Sequence, residues 1–158
     1  MVDAAMRELI ATGWANFRMR QVVASFAVQT LGLPAHDAGL ALGLLFDDYE
    51  PCVTWVQMGL HSGRMARSRG PRIVNPVKQG RELDPEEQYV RHWLPELASL
   101  PPGFAHEPWR HPQNPIGPPI VDHRAAAREA RAEWPSGVMP DAAPQGALFS
   151  TPGSSTPA

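Results

Sequence analysis

Two arginines, Arg18 and Arg20, stand two residues apart in the largely apolar stretch Thr12–Phe26. A guanidinium is a permanent cation whose fork of donors suits carboxylates and phosphates. At roughly 100° per helical residue the two point about 200° apart around the axis, so they must meet different surroundings. The Arg20 side carries Phe17, Val23, Ala24 and Ala27, a set that packs into a core, whereas the Arg18 side carries Gln21, Val22, Ser25 and Gln29, a set that can stay wet. A buried guanidinium needs an acceptor. Asp48 and Glu50, within Asp47-Asp-Tyr-Glu-Pro51, form the nearest acidic cluster able to satisfy Arg20, either as a structural pair or as the lining of a polar cavity. Arg18 is then a surface arm.

A second cationic group is Arg64, Arg67, Arg69 and Arg72, interrupted by Gly63, Gly70 and Pro71. Guanidinium forks on a loop that lets the backbone approach closely suit phosphate oxygens, although the same run also reads as an ordinary solvated loop. The six histidines are scattered, and His106 and His111 lack a third ligand at a recognised spacing, so no metal site is expected. Cys52 has no motif around it and reads as a small packed residue. Trp14, Trp55, Trp93 and Trp109 would be redox-active if stacked near a chromophore; core or lid residues are the commoner role. No glycine fingerprint for a mononucleotide or dinucleotide occurs.

The elements that must position these groups are helical. Asp3 can cap a helix over residues 4–11 that ends at Thr12-Gly13, and a second helix begins at Asn16 or Thr12 and runs to about Leu31 before Gly32 and Pro34. A third, over residues 36–47, is apolar nearly all round and is expected to be buried between other elements. Pro51 halts it, and residues 55–60 form a further turn. Asn75-Pro-Val-Lys-Gln-Gly80 is turn chemistry, and Asp84-Pro-Glu-Glu opens a helix with Asp84 at the cap. No stretch alternates convincingly enough to be a strand. The expected class is all-α, followed by an extended proline-rich segment from residue 101, an alanine- and arginine-rich helix from about His123 to Trp134, and a disordered tail within residues 129–158.

Composition sets the outer bounds. Twelve of the 18 prolines fall after residue 100, so about the first hundred residues must hold the core. A formal charge of −2 exerts no global pull on nucleic acid, leaving any such contact to a local patch. A single cysteine excludes an internal disulfide, and no apolar run reaches membrane-spanning length; a cytoplasmic protein is the expectation.

The order of several blocks adds a resemblance. Val2-Asp-Ala-Ala-Met-Arg-Glu-Leu9, Phe17-Arg-Met-Arg20, Val22-Val-Ala-Ser-Phe26, Asp48-Tyr-Glu-Pro51, Arg72-Ile-Val-Asn-Pro-Val-Lys-Gln-Gly80, Tyr89-Val-Arg-His-Trp-Leu-Pro-Glu-Leu97, His106-Glu-Pro-Trp109 and Pro119-Ile-Val-Asp-His123 follow one another here. Together they resemble the carboxy-terminal half of the all-helical FAD-binding domain of the photolyase/cryptochrome family, over about residues 2–128, with a leaning towards a bacterial photolyase-like branch. The resemblance implies FAD as cofactor and damaged DNA as partner. It implies Arg20 beside the flavin ring, paired with Asp48, with Tyr49 and Glu50 lining the flavin and Thr54 where the family places asparagine. Phe17, Arg18 and Arg72, with Arg64 in the same loop, fall at the DNA-facing mouth, and Trp55 approximates the tryptophan that passes electrons to the flavin. It further implies light-driven repair of pyrimidine dimers by electron transfer from reduced FAD, or cryptochrome photoreception. The family's amino-terminal antenna domain and its diphosphate-binding Thr-Ser-x-Leu-Ser-type loop have no counterpart in these 158 residues. Ala35 stands where a relay tryptophan is usual. The expectation is therefore a partial domain, inactive alone and completed by the other half. Two alternatives are a non-catalytic helical module that binds nucleic acid or protein, and an inactive gene fragment.

Overall fold

The computed structural model describes residues 1–63, 65 and 72–132, and these residues form helices and turns without a strand. Helix α1 spans Val2–Thr12 and α2 spans Phe17–Ser25, continuing as a wider π-helical segment through Phe26–Thr30. Then come α3 (Ala35–Gly43), α4 (Pro51–His61), α5 (Pro76–Leu83) and α6 (Gln88–Trp93), followed by 3₁₀ turns at Pro95–Ser99 and Pro108–Arg110, and α7 (His123–Ala132).

Gly13 closes α1 as expected: its φ is 67°, a left-handed conformation that an L side chain adopts only with strain, and its N–H reaches Leu9 O. Asn16 caps α2, its Oδ1 accepting the Met19 N–H at 3.0 Å. Asp3 lies in the first turn of α1 and does not cap it.

Three proline sites depart from expectation for one reason: proline is as suited to the first turn of a helix as to the end of one. Pro51 opens α4, with the Glu50 carboxylate accepting the Cys52 N–H. Pro76 opens α5, and Asn75 Oδ1 accepts from both Val77 and Lys78, so residues 75–80 start a helix and are not a bare turn. After Asp84 the chain makes a turn through Pro85 and Glu86, Glu87 takes a φ of 59°, and α6 begins only at Gln88. Asp84 still caps it, accepting Tyr89 N–H and Val90 N–H at 3.0 and 2.9 Å.

Two apolar clusters flank α1. Ala5 and Leu9 join Met19, Val22, Val23, Leu42 and Met58 on one side; Ala4 joins Val90, Leu94, Leu97 and Leu100 on the other. Burying each large side chain contributes about 1.5–3 kcal/mol, so these seams hold the helices in register. Helix α3 contributes less to them than its composition suggests. It stops at Gly43, where a Cβ would lie 2.8 Å from the Tyr49 ring, and Leu40 and Leu44 on its outer side are 48% and 88% exposed. Within α3 only Ala38, Gly39 and Leu42 are buried, which overturns the expectation of an all-round buried helix. Helix α7 crosses the boundary drawn at residue 129, and the tail from 133 lies outside the described residues.

Candidate functional site

Arg20 and Asp48 are brought together from α2 and the turn before α4. Arg20 Nη2 sits 2.7 Å from both Asp48 oxygens, Nε donates to Ala15 O at 2.8 Å, and the guanidinium carbon lies 4.1 Å from the centre of the Phe46 ring. The Arg20 side chain is 12% exposed and the Asp48 side chain 51%, so the cation is pinned within the protein while the carboxylate has a face towards solvent. A charge-assisted contact of this kind fixes the orientation of both groups and leaves Asp48 lone pairs for a further donor.

The neighbouring positions divide. Tyr49 is exposed with its ring edge over Gly43, and Glu50 is exposed with its carboxylate engaged in capping α4. Thr54 is buried, on the same face of α4 as Gln57, Met58 and His61. Trp55 is stacked against His36 with ring centres 5.6 Å apart and fills the space left by Gly39, where a Cβ would meet the indole at 2.8 Å. Trp55 thus holds α3 close to α4.

On the other side of α2, Arg18 is exposed and its Nη1 donates to Gln21 Oε1 at 3.2 Å. The rest of that face is not wet: Gln21, Val22 and Ser25 are 3%, 1% and 1% exposed. The expectation fails because both faces of α2 are covered, one within the apolar cluster and the other by the segment that follows Arg72. There Ser25 Oγ accepts the Val74 N–H at 2.8 Å. Phe17, at the start of α2, is 56% exposed beside Trp14 at 50%. Arg64 lies outside the described residues, as do Arg67 and Arg69.

Arg72 is exposed, but its backbone is tied on both sides. Its N–H donates to Leu60 O at 3.2 Å, and its carbonyl accepts the His61 Nδ1–H at 2.7 Å. Gln29 Nε2 donates to His61 O. His61 is fully buried, and burial holds its imidazole below the ordinary value of 6.5, outweighing the opposing hydrogen bond to the Arg72 carbonyl. The bond to Arg72 assigns the proton of the neutral ring to Nδ1 and leaves Nε2 as a buried acceptor without a partner among the described residues. Sequence reasoning passed over His61; the signal was its place seven residues after Thr54, on the inward face of α4.

A buried guanidinium locked on a half-exposed carboxylate, on a helical body without a strand among the described residues, fits the class of helical cofactor-binding domains. The family described as "FAD binding domain of DNA photolyase" matches residues 1–136. The chain therefore belongs to the photolyase/cryptochrome family, as a part of its FAD-binding domain, and FAD is the cofactor of that family. It is 44% identical to cryptochrome DASH of Gloeobacter violaceus over 110 residues, which are 70% of this chain and 22% of that protein. It is 31% identical to the deoxyribodipyrimidine photo-lyase of Escherichia coli over 154 residues, covering 85% of this chain and 30% of the relative. Among solved structures the cryptochrome of Synechocystis superposes with a TM-score of 0.76 at 31% identity, over 82% of this chain and 29% of that one. The chain thus spans between a fifth and a third of the length of these relatives. The matches include both cryptochromes and photolyases and do not single out a branch. No helix among the described residues is long and apolar enough to cross a membrane.

Proposed function

We propose that this chain supplies one wall of a photolyase-type flavin site, with a nucleic-acid-facing mouth on the opposite side of α2. The observation that carries the reading is the Arg20–Asp48 lock, which holds a carboxylate half open to solvent at a fixed place. Arg20 and Asp48 would hold the polar edge of the FAD ring, with Tyr49, Glu50 and Thr54 along the same wall; bound and reduced, FAD supplies a light-driven electron donor. Phe17, Arg18 and Arg72 would meet damaged DNA, and Trp55 is the electron-transfer candidate of the chain.

The residues present fit the ring of the cofactor better than its diphosphate. A diphosphate needs several N–H, hydroxyl or cationic donors at one place. The wall around Asp48 offers carboxylates, an aromatic ring and a buried threonine instead. Tight FAD binding and lyase activity would accordingly depend on the rest of the domain.

The test is flavin uptake. The chain alone is expected to purify without stoichiometric flavin, and a yellow protein with one FAD per chain would contradict this. Supplied with the preceding half of a relative's helical domain, it should take up FAD, with Arg20→Met weakening uptake about tenfold or more, equivalent to about 1.4 kcal/mol. Equal uptake by the variant would remove Arg20 from the site.

A second reading, a nucleic-acid-binding module that works without flavin, is favoured by the exposed Arg18 and Arg72. It requires affinity that falls with salt and ignores light.

A further inference from the structure

A groove of about 240 Å³ runs between α7 and the segment that follows Arg72. Its floor includes Thr30, Val74 and Asn75, and its rim carries Arg124, Arg128 and Arg131, with no carboxylate among the described residues that line it. The three arginines recur at intervals of four and three, so they share one face of α7. Glu129 lies on another side of the helix, lining a separate groove with residues of the π-helical end of α2. Asp122 is occupied at the start of α7, accepting the N–H groups of Arg124 and Ala125 at 2.8 and 3.2 Å. Among the described residues Glu107 also approaches, its buried carboxylate lying 3.6 Å from Arg124 and already meeting Arg81 and Arg110. Among the described residues, Asp122, near enough to Arg128 to feel its charge, and Glu107 are set against these three guanidiniums together with Arg81 and Arg110, which leaves a local surplus of positive charge.

We infer that this groove is a phosphodiester-binding track that carries a nucleic-acid strand onward from Arg72 along the arginine face of α7. The inference rests on the reading of Arg72 as a nucleic-acid contact. The floor begins at Ile73, the residue after Arg72, so the mouth and the groove are continuous along the chain. The seven steps from Arg124 to Arg131 rise about 10 Å, which matches about three phosphates of one strand of a duplex. A single phosphate would need one such arginine fork, whereas a row of them at this pitch suits a repeating polyanion. Since α7 buries no residue, its arginines are not needed for a core.

The test uses the full chain and a fluorescein-labelled, undamaged DNA duplex of about twenty base pairs, titrated across a series of salt concentrations. The combined variant Arg124→Gln, Arg128→Gln, Arg131→Gln is expected to lose about 10- to 100-fold in affinity at low salt and to flatten the slope of log affinity against log salt by about 2 to 3. The matching triple lysine variant, which keeps the charges, should bind within a few-fold of the unaltered chain. Equal weakness of the lysine and glutamine variants would overturn the track, because the loss would then not follow charge. The track is also overturned if the glutamine variant binds as the unaltered chain does while Arg72→Gln weakens binding; that result leaves the mouth intact. No binding by the unaltered chain, or binding indifferent to Arg18→Gln and Arg72→Gln, would defeat the underlying reading itself.

Discussion

Arg20 Nη2 contacts both carboxylate oxygens of Asp48 at 2.7 Å, so one nitrogen holds the whole carboxylate while Nε is spent on Ala15 O. The two partners should therefore be unequal in stability. Arg20→Ala removes the hydrogen bond to Ala15 and the contact with Phe46 as well as the ion pair, and should cost about 2–3 kcal/mol. Asp48→Asn loses an ion pair whose acid is half exposed and should cost about 1 kcal/mol or less. Urea unfolding of each variant measures this. Equal costs would show that the ion pair carries the whole effect.

His61 makes the protein sensitive to mild acid. A base held below its ordinary value when folded takes up its proton more readily when unfolded, so stability is full above pH 6.5 and declines as the pH falls below it. Asparagine can place an N–H near the position of Nδ1 and does not titrate. His61→Asn should therefore retain the tie to the Arg72 carbonyl and flatten the thermal melting temperature between pH 7 and pH 5, as followed by circular dichroism. A decline as steep as in the unaltered chain would place the acid sensitivity elsewhere.

Glu87 acts in a lower window. Burial pushes its carboxyl up, but hydrogen bonds from Arg91 and from the N–H of Ala105 outweigh burial and hold it below the ordinary 4.5. Its contribution is present above that value and is lost as the pH falls through the folded-state value. Glu87→Leu leaves the Ala105 N–H without its acceptor and Arg91 without its carboxylate, and should cost about 3 kcal/mol or more at pH 7 in chemical denaturation. A cost below about 1 kcal/mol would mean that the Arg91 bonds to the carbonyls of Leu97, Leu100 and Pro101 suffice to hold the turn.

Gly80→Ala sets helix propensity against space. Alanine is favoured in a helix interior by about 1 kcal/mol. Its Cβ, however, would lie 2.6 Å from His106 Nδ1, and His106 is 6% exposed and tied through Nε2 to the Asp84 carbonyl at 2.8 Å. The imidazole cannot swing away cheaply, so overpacking of about 1–3 kcal/mol should equal or exceed the gain. A variant that melts several degrees higher would show that His106 moves freely.

The parts legible from residue order were those governed by near neighbours. Gly13 ends α1 because only a left-handed residue suits the cap, and Asn16 begins α2 because its side chain reaches the N–H three residues on. Pro51, Pro76 and Pro85 were harder. The dihedral constraint of proline serves a helix start and a turn alike, and the choice is made by what the flanking side chains then contact. Asp84 illustrates this: its carboxylate does cap a helix, but across an intervening turn that places Glu87 over Ala105.

The amino-acid sequence by itself determined the helical class, the need of Arg20 for an acid, the choice of that acid between Asp48 and Glu50, and the ordered blocks that mark the family. Tertiary structure alone decided that a single Arg20 nitrogen holds both Asp48 oxygens, that the Arg18 face of α2 is covered, that α3 shows Leu40 and Leu44 to solvent, and that His61 ties down Arg72. The physical reason is range. Caps and periodicity act over one or two turns of a helix, whereas burial and ion pairing depend on which distant segment arrives opposite, and that is settled by the packing of all the helices together.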